Sequence, residues 1–476
     1  MVKQVVNSRE TEVAPPSDVV ETIHRAQDAA KSISGYTQEQ VDELVTAVAW
    51  SVVRRDRAEE LARLAVDEGG FGNYADKVVK IQKRITGVLA DMRGMRTVGV
   101  VEEDREHGLV KIAKPVGVVA ALIPTTGPDA TPPLKALLAL KGRNAIVVAP
   151  HPRTWHTSAA VVDFMRSACQ QVGAPADLIQ VLDKPSVARA AELMRLADLV
   201  VATGGAGMVK AAYSSGTPAY GVGVGNAVHV VDETADLEDA TAAIVAAKTF
   251  DFATSCLADN AVVAESTIYL DLRDRLVLAG GHLCTPEEQT RLQAVMWPGE
   301  SHIPVAEVVA KSAQRIAELA GFSIAADRTF LLVEEDGAGP RHPFSGEKLS
   351  VVLALYRYDG GIQRAVELVN AITEYQGLGH TCGIHTRSDA SVDALALGTR
   401  TARVMVNQNL NEGAGSARNG LPFTLSLSCG TWGGNITTEN VNARHFVNLT
   451  WVSRPIPPQP VTEEDLFADH WRRYGR

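Results

Sequence analysis

Cys256 lies in the stretch KTFDFATSCLADNAVVAE, residues 248–265, among the small and polar residues Ala253, Thr254 and Ser255. An apolar run, Ala261–Ala264, follows it directly. A thiol placed where a loop meets a rigid strand is held steady and can still be reached, the setting of a nucleophile that attacks carbonyl carbon. A lone cysteine is more often a small buried hydrophobe, and Cys169, inside a helical pattern, reads that way. Two glycine-rich segments lie upstream, TGGAGM (203–208) and GVGVGN (221–226). GEKLS (346–350), GLGHTCGIH (377–385) and SLSCGTWGGN (426–435) lie downstream. TGGAGM follows an apolar strand and precedes a helix-like run. Its glycines let backbone approach a ligand, and amides at a helix N-terminus favour anions. It is not the G-x-G-x-x-G fingerprint, and an ordinary strand–helix turn accounts for it equally well. His380 alone reads as a structural histidine. No pair of carboxylates stands out at catalytic spacing.

The elements that must position these residues follow from hydrophobic period. Ser17 or Asp18 opens a helical pattern that runs to about Ile33. Thr37, with Gln40 three residues on, is a capping box. The helix it opens carries Val41, Leu44, Val45, Val48 and Val52 at helical spacing and runs to Gly69-Gly70. Another helix covers about 73–92. Beyond Thr97 the pattern turns to strands, with a hairpin around Arg105–Gly108. The apolar runs GVVAALIP, NAIVVAP and DLVVAT then alternate with helices, which predicts a doubly wound parallel sheet. Such sheets bind ligands past the carboxyl ends of their strands. IPTTGP, APHPRT and ATGGAG sit at those ends. After Val230 a second α/β alternation begins, interrupted by a polar segment at about 284–305. A strand returns at 441–452, PIPPQP (455–460) is a stiff spacer, and Thr462 with Asp465 caps a terminal amphipathic helix.

Size and composition exclude several classes. The chain has 476 residues and a formal net charge of −10. It has no basic block, which argues against nucleic acid and anionic membrane surfaces. Five cysteines without a CxxC pair argue against a disulfide framework and a zinc site, and no metal is expected. The N-terminus has no signal-peptide core, so a reducing cytoplasm is the expected compartment.

Seven segments in one order resemble the CoA-acylating branch of the aldehyde dehydrogenases over residues 110–452. They are IPTTGP, LKALLALKGRNAIVVAPHPR, VATGGAGMVKAAYSSGTPAYGVGVGN, KTFD through Cys256, FSGEKLSVVLALY, GLGHTCGIHT and CGTWGGN. NGLPFTLSLSCGTWGGN and RVMVNQN look most like the sulfoacetaldehyde dehydrogenase subgroup. The resemblance implies an α/β fold with a Rossmann-like NAD(P)-binding domain (1–98 and 115–229) and an α/β catalytic domain (230–436). It also implies a small oligomerisation element (99–114 and 437–454) that builds homodimers or homotetramers. Residues 455–476 are then a tail that resembles the encapsulation peptides of bacterial microcompartment enzymes; a helix packed on a neighbouring subunit is the plainer alternative.

The same resemblance assigns roles. Cys256 is the nucleophile, and His380 matches a histidine near the active site that can assist CoA deprotonation. Thr203, Gly204 and Gly205 match the pyrophosphate turn. Pro150, His151 and Arg153 match the adenosine-side strand end. Gly223 joins the cofactor-binding set, and Glu347 matches the glutamate that binds the nicotinamide ribose. The water-activating glutamate of hydrolytic relatives aligns with Gly221. Its absence favours transfer of the acyl group to CoA over release of a free acid. The oxyanion asparagine of many relatives aligns with Gly127, which leaves Thr126 or another donor, such as the backbone N–H of Cys256, to take that place. The expected reaction is oxidation of a small polar aldehyde to its acyl-CoA with NAD or NADP. Sulfoacetaldehyde is one candidate, and Arg418 is a candidate partner for its sulfonate. A hydrolytic enzyme of the same fold, an acylating enzyme for another short aldehyde, and a non-catalytic cofactor-binding protein are the alternatives.

Overall fold

Apolar strands separated by amphipathic helices assemble into two parallel sheets, beside a small antiparallel one, an α/β architecture. The structure, a computed structural model, describes residues 17–299 and 301–476. The lead-in ending Ala14-Pro15-Pro16 lies outside the described residues. The first sheet runs, edge to edge, Ile179–Val181, Ala145–Ala149, Val118–Leu122, Leu199–Thr203 and Ala219–Val222. Its central strands are buried along their whole length, as parallel strands covered on both faces must be. Chain order reverses beside Val118–Leu122, with later strands added on one side and then on the other. The crevice opens past the carboxyl ends of such neighbours.

The helices Asp18–Ser32, Gln38–Val53, Arg55–Gly69 and Tyr74–Met92 pack against this sheet and share its core. The capping box at Thr37 and Gln40 is present. The single helix expected up to Gly69-Gly70 is two: Arg54 leaves helical geometry at ψ 140° and redirects the chain. Neither proline nor glycine marks that corner in the sequence.

The second sheet runs Gly281–Leu283, Phe330–Glu334, Val352–Tyr358, Asp259–Glu265, Ala227–Val231, Gly379–His385 and Thr401–Val406, all parallel. Three expectations are corrected here. The strand Ala227–Val231 belongs whole to this sheet, so a domain boundary between 229 and 230 would cut it; the crossing between sheets lies in the glycine loop 223–226. The polar segment at 284–305 contains the helix Pro286–Met296, opened by a capping box of Thr285 and Glu288. The returning strand starts at Val447, because residues 443–446 form a tight 3-10 turn whose Ala443 and Phe446 are buried. That strand, Val447–Ser453, pairs with the hairpin Gly99–Asp104 and Leu109–Pro115 as the third, antiparallel sheet. Among the described residues, no helix is long and apolar enough to cross a membrane.

Candidate active site

The loop that carries Cys256 is held by an anchored turn. Asp251, Phe252 and Ala253 have φ of 49°, 51° and 60°, a left-handed conformation that residues with a Cβ adopt at a cost. Asp251 holds it there. Its buried carboxylate accepts from the Asn73 N–H at 3.0 Å, Lys77 Nζ at 3.3 Å, Lys80 Nζ at 2.7 Å and Thr254 Oγ1 at 2.8 Å. Its own N–H donates to Asp76 Oδ2. Burial works against the charge, but Lys80 and Lys77 outweigh it and keep the carboxyl below its usual range. Breaking such a buried pair costs about 3–5 kcal/mol, more than the turn's strain in any one residue. Gly72 is required beside it, because a Cβ there would lie 1.8 Å from Asp251 Oδ1. The nucleophile loop is thereby tied to the start of the helix Tyr74–Met92, across the two sheets.

His380, at the start of the strand Gly379–His385, places Nε2 3.2 Å from Cys256 Sγ. The ring is fully buried and its Nδ1 has no hydrogen-bond partner. Burial, with Arg403 adding, pushes its pKa down to about 3, so the imidazole is neutral at ordinary pH. Cys256 keeps a partly exposed face, yet the surrounding protein desolvates it and pushes the thiol up to about 12, with Glu347 and Cys429 adding and Arg403 opposing. The resting pair is therefore a thiol beside a neutral base, not a thiolate–imidazolium pair.

A cleft of about 400 Å³ opens over Cys256. Thr126, His151, Thr203, Gly204, Gly205, Gly223, Glu347 and Cys256, brought together from both sheets, all line it. Pro150 and Arg153 do not: Pro150 is buried, and Arg153 lies exposed with its guanidinium 4.6 Å over the Phe71 ring. His380 sits behind the sulfur and is absent from the lining. Arg418 is exposed and lines none of the cleft. Gly221 is also misplaced as the counterpart of a catalytic carboxylate, since a side chain there would meet Tyr213 and Val209; Val222 and Gly223 face the cleft instead. A Cβ at Gly127 would lie 2.6 Å from Thr131 Oγ1, so a side chain there would require Thr131 to shift.

Glu347 is the one carboxyl among the described residues that lines the cleft with Cys256. Its Oε1 accepts the Gly225 N–H at 2.9 Å. Burial pushes it up to about 8, so it is mostly protonated at neutral pH, with Oε1 already engaged by Gly225. The sequence reading also missed two groups. Lys77 and Lys80, three apart and so on one helix face, could be seen as a cationic pair, but nothing local joins them to Asp251, 174 and 171 residues away. Arg403 occupies a buried position of the alternating strand TARVMV, and an arginine on an inward face is itself a signal.

The aldehyde dehydrogenase family profile matches residues 7–294. The chain belongs to that family. Its acylating branch follows from near relatives. The sulfoacetaldehyde dehydrogenase (acylating) of Bilophila wadsworthia is 42% identical over 465 residues, which cover 96% of this chain and 99% of that protein. The crystal structure of an acetylating aldehyde dehydrogenase from Geobacillus thermoglucosidasius superposes with a TM-score of 0.89 at 37% identity, covering 93% of this chain and 98% of that one. A propionaldehyde dehydrogenase of Rhodopseudomonas palustris, solved with bound propionyl-CoA, has a TM-score of 0.83 at 26% identity, covering 92% and 94%. This protein is thus a CoA-acylating aldehyde dehydrogenase.

The nicotinamide nucleotide of an aldehyde dehydrogenase fits the residues present. The helix Ala206–Tyr213 starts at the cleft with no side chain capping its N-terminus, and the space beside Gly205 and Gly207 is open. Free amide donors and open space suit a pyrophosphate. A Cβ at Gly204 would displace the end of the Met208 side chain, whose Sδ lies 2.8 Å away.

Proposed function

We propose that this acylating aldehyde dehydrogenase oxidises sulfoacetaldehyde to sulfoacetyl-CoA, with NAD or NADP as oxidant. The 3.2 Å contact of Cys256 with a neutral, buried His380 carries the reading, and likeness to the Bilophila protein along the whole chain supports the substrate. Thr203, Gly204 and Gly205 hold the pyrophosphate, His151 stands at the adenosine side, Gly223 backs the nicotinamide, and Glu347 meets its ribose. Bound NAD(P) supplies the hydride acceptor. As Cys256 attacks the aldehyde carbon, its proton passes to His380 Nε2. The anionic oxygen that forms is met by the backbone N–H of Cys256 and the hydroxyl of Thr126. Once the hydride has left, Cys256 holds a thioester. Glu347, protonated and bound to Gly225, readies no water, so the acyl group waits for the thiol of CoA; His380, having released the first proton to solvent, accepts that of CoA and returns it to Cys256, which leaves as the thiolate.

Purified protein given sulfoacetaldehyde is expected to reduce the nicotinamide nucleotide at least about tenfold faster with CoA than without it, and to yield sulfoacetyl-CoA by mass spectrometry. Propionaldehyde and succinate semialdehyde should be poorer by kcat/KM, and paired assays with NAD and NADP decide the nucleotide. Equal rates with and without CoA, with free acid as product, would sink the acylating reading.

Two surfaces support assembly. The edge strand Val447–Ser453 exposes Leu449 and Trp451, an apolar edge suited to a homodimer or homotetramer contact. The helix Glu463–Tyr474 has no buried residue and leaves Leu466, Phe467 and Tyr474 exposed beyond the proline spacer. We propose that this tail docks on a microcompartment shell, which would place the enzyme inside the shell within the cytoplasm. Residues 455–476 fused to a fluorescent protein should then co-localise with shells in cells that make them; diffuse fluorescence beside intact shells would exclude it.

A further inference from the structure

Arg403 lies on the strand Thr401–Val406, opposite Thr381 of the strand that begins with Gly379 and His380. It is 5% exposed. A guanidinium has five N–H donors, and all are used. Nε donates to Thr381 Oγ1 at 3.0 Å, and Nη1 donates to the Thr438 carbonyl at 3.1 Å and Asn440 Oδ1 at 3.3 Å. Nη2 donates to the His380 carbonyl at 3.1 Å and the Ser428 carbonyl at 2.9 Å. Every acceptor is a neutral oxygen. A buried cation without a carboxylate is costly, and a structural clamp of backbone carbonyls does not require one.

What sits near it explains the charge. Its two Nη2 bonds hold the backbone of His380, whose ring touches Cys256, and of Ser428, which precedes Cys429. Of the groups gathered here, Cys256 is the one that acquires negative charge during turnover, as thiolate and then as the oxyanion of its adduct. Resting on the thioester reading above, we propose that Arg403 is the positioning residue of the nucleophile pair: it fixes His380 against Cys256, and the thiolate and oxyanion formed at Cys256 are its counter-charge. The electrostatics agree in sign. Arg403 lowers the pKa of Cys256 and of Cys429, and it lowers that of His380. A cation that favours thiolate and disfavours imidazolium makes His380 pass its proton on to solvent instead of holding it. That is the proton aldehyde oxidation by NAD(P) must release. The thiol's S–H bond breaks, its electron pair stays on sulfur, and Arg403 undergoes no bond change.

The test reads Cys256 directly, without aldehyde or CoA, so it stands apart from the test of the reaction. Reaction with iodoacetamide is timed between pH 7 and 9, where a thiol pushed up to about 12 reacts through its small thiolate fraction, and the labelled cysteine is identified by mass spectrometry. Arg403→Met is expected to slow alkylation of Cys256 about tenfold throughout that range. Arg403→Lys keeps the charge and should alkylate within about threefold of wild type, while turnover with aldehyde and CoA falls at least about tenfold because the bonds to His380 and Ser428 are lost. A folded Arg403→Met protein that alkylates at the wild-type rate overturns the proposal. If that variant does not fold, Arg403→Lys decides it: wild-type turnover overturns the proposal, and lowered turnover with alkylation near wild type supports it.

Discussion

Cys256→Ala is expected to remove aldehyde oxidation, with kcat/KM falling by about 10⁴-fold or more, as when the nucleophile of a covalent mechanism is deleted. No second thiol can substitute. Cys169, Cys284, Cys382 and Cys429 are all buried, and only Cys256 reaches the cleft. Cys429 lines a separate groove with Trp432 and Gly434. The fold should survive, because the left-handed turn before the cysteine is held by Asp251 and its two lysines, not by the sulfur. The melting temperature should therefore stay near wild type, and binding of the nicotinamide nucleotide, followed by fluorescence, should persist. Cys256→Ser is the sharper control. It keeps a polar atom facing His380 Nε2, yet an alkoxide at a site that already pushes a thiol to about 12 is out of reach. Serine should fail nearly as completely as alanine. A stoichiometric burst of reduced nucleotide from either variant would show that another group takes the acyl.

Much of this arrangement was legible in residue types and order. The unbroken apolar runs around Val118–Leu122 and Ala145–Ala149 alternate with helical patterns and so read as strands buried on both faces, which suggested a parallel sheet with its cleft past the strand ends. Resemblance put His380 near the active site, but its contact with Cys256 came only with the structure, because the two lie 124 residues apart and meet through the order of strands in the second sheet. What escaped was set by tertiary context. The corner at Arg54 has no residue that breaks a helix. The side-chain direction at Gly221 depends on which face of Ala219–Val222 meets Tyr213. Hydrogen-bond saturation of Arg403 depends on carbonyls from Thr438 and Ser428, in a segment with little regular structure. The aspartate of KTFD was visible, but its role as the anchor of a strained turn required the positive φ angles to be seen.

His380→Ala should lower kcat by about 10²- to 10⁴-fold, the range for loss of a positioned base, with little change in KM for the aldehyde, since the ring stands behind the sulfur and off the cleft. Because alanine leaves a buried cavity, His380→Asn is the companion: it keeps much of the volume and lacks the base. Equal losses in the two assign the effect to proton transfer, and partial rescue of the alanine variant by added imidazole would strengthen that. The pH dependence gives an independent check. Burial and Arg403 depress His380 to about 3, far below the ordinary histidine value of 6.5. The neutral, accepting form is then fully present above about pH 5, and the rate should show no acid limb near 6.5. Glu347 is displaced in the opposite sense, to about 8. Below that pH it is uncharged; as pH rises through it, a carboxylate appears in the cleft and opposes a thiolate at Cys256. A limb near pH 8 should therefore restrain the rise in rate, vanish in Glu347→Gln and persist in His380→Asn. An acid limb near 6.5 that disappears with His380 would mean that the imidazole works from a solvated state, and the neutral resting pair would be wrong.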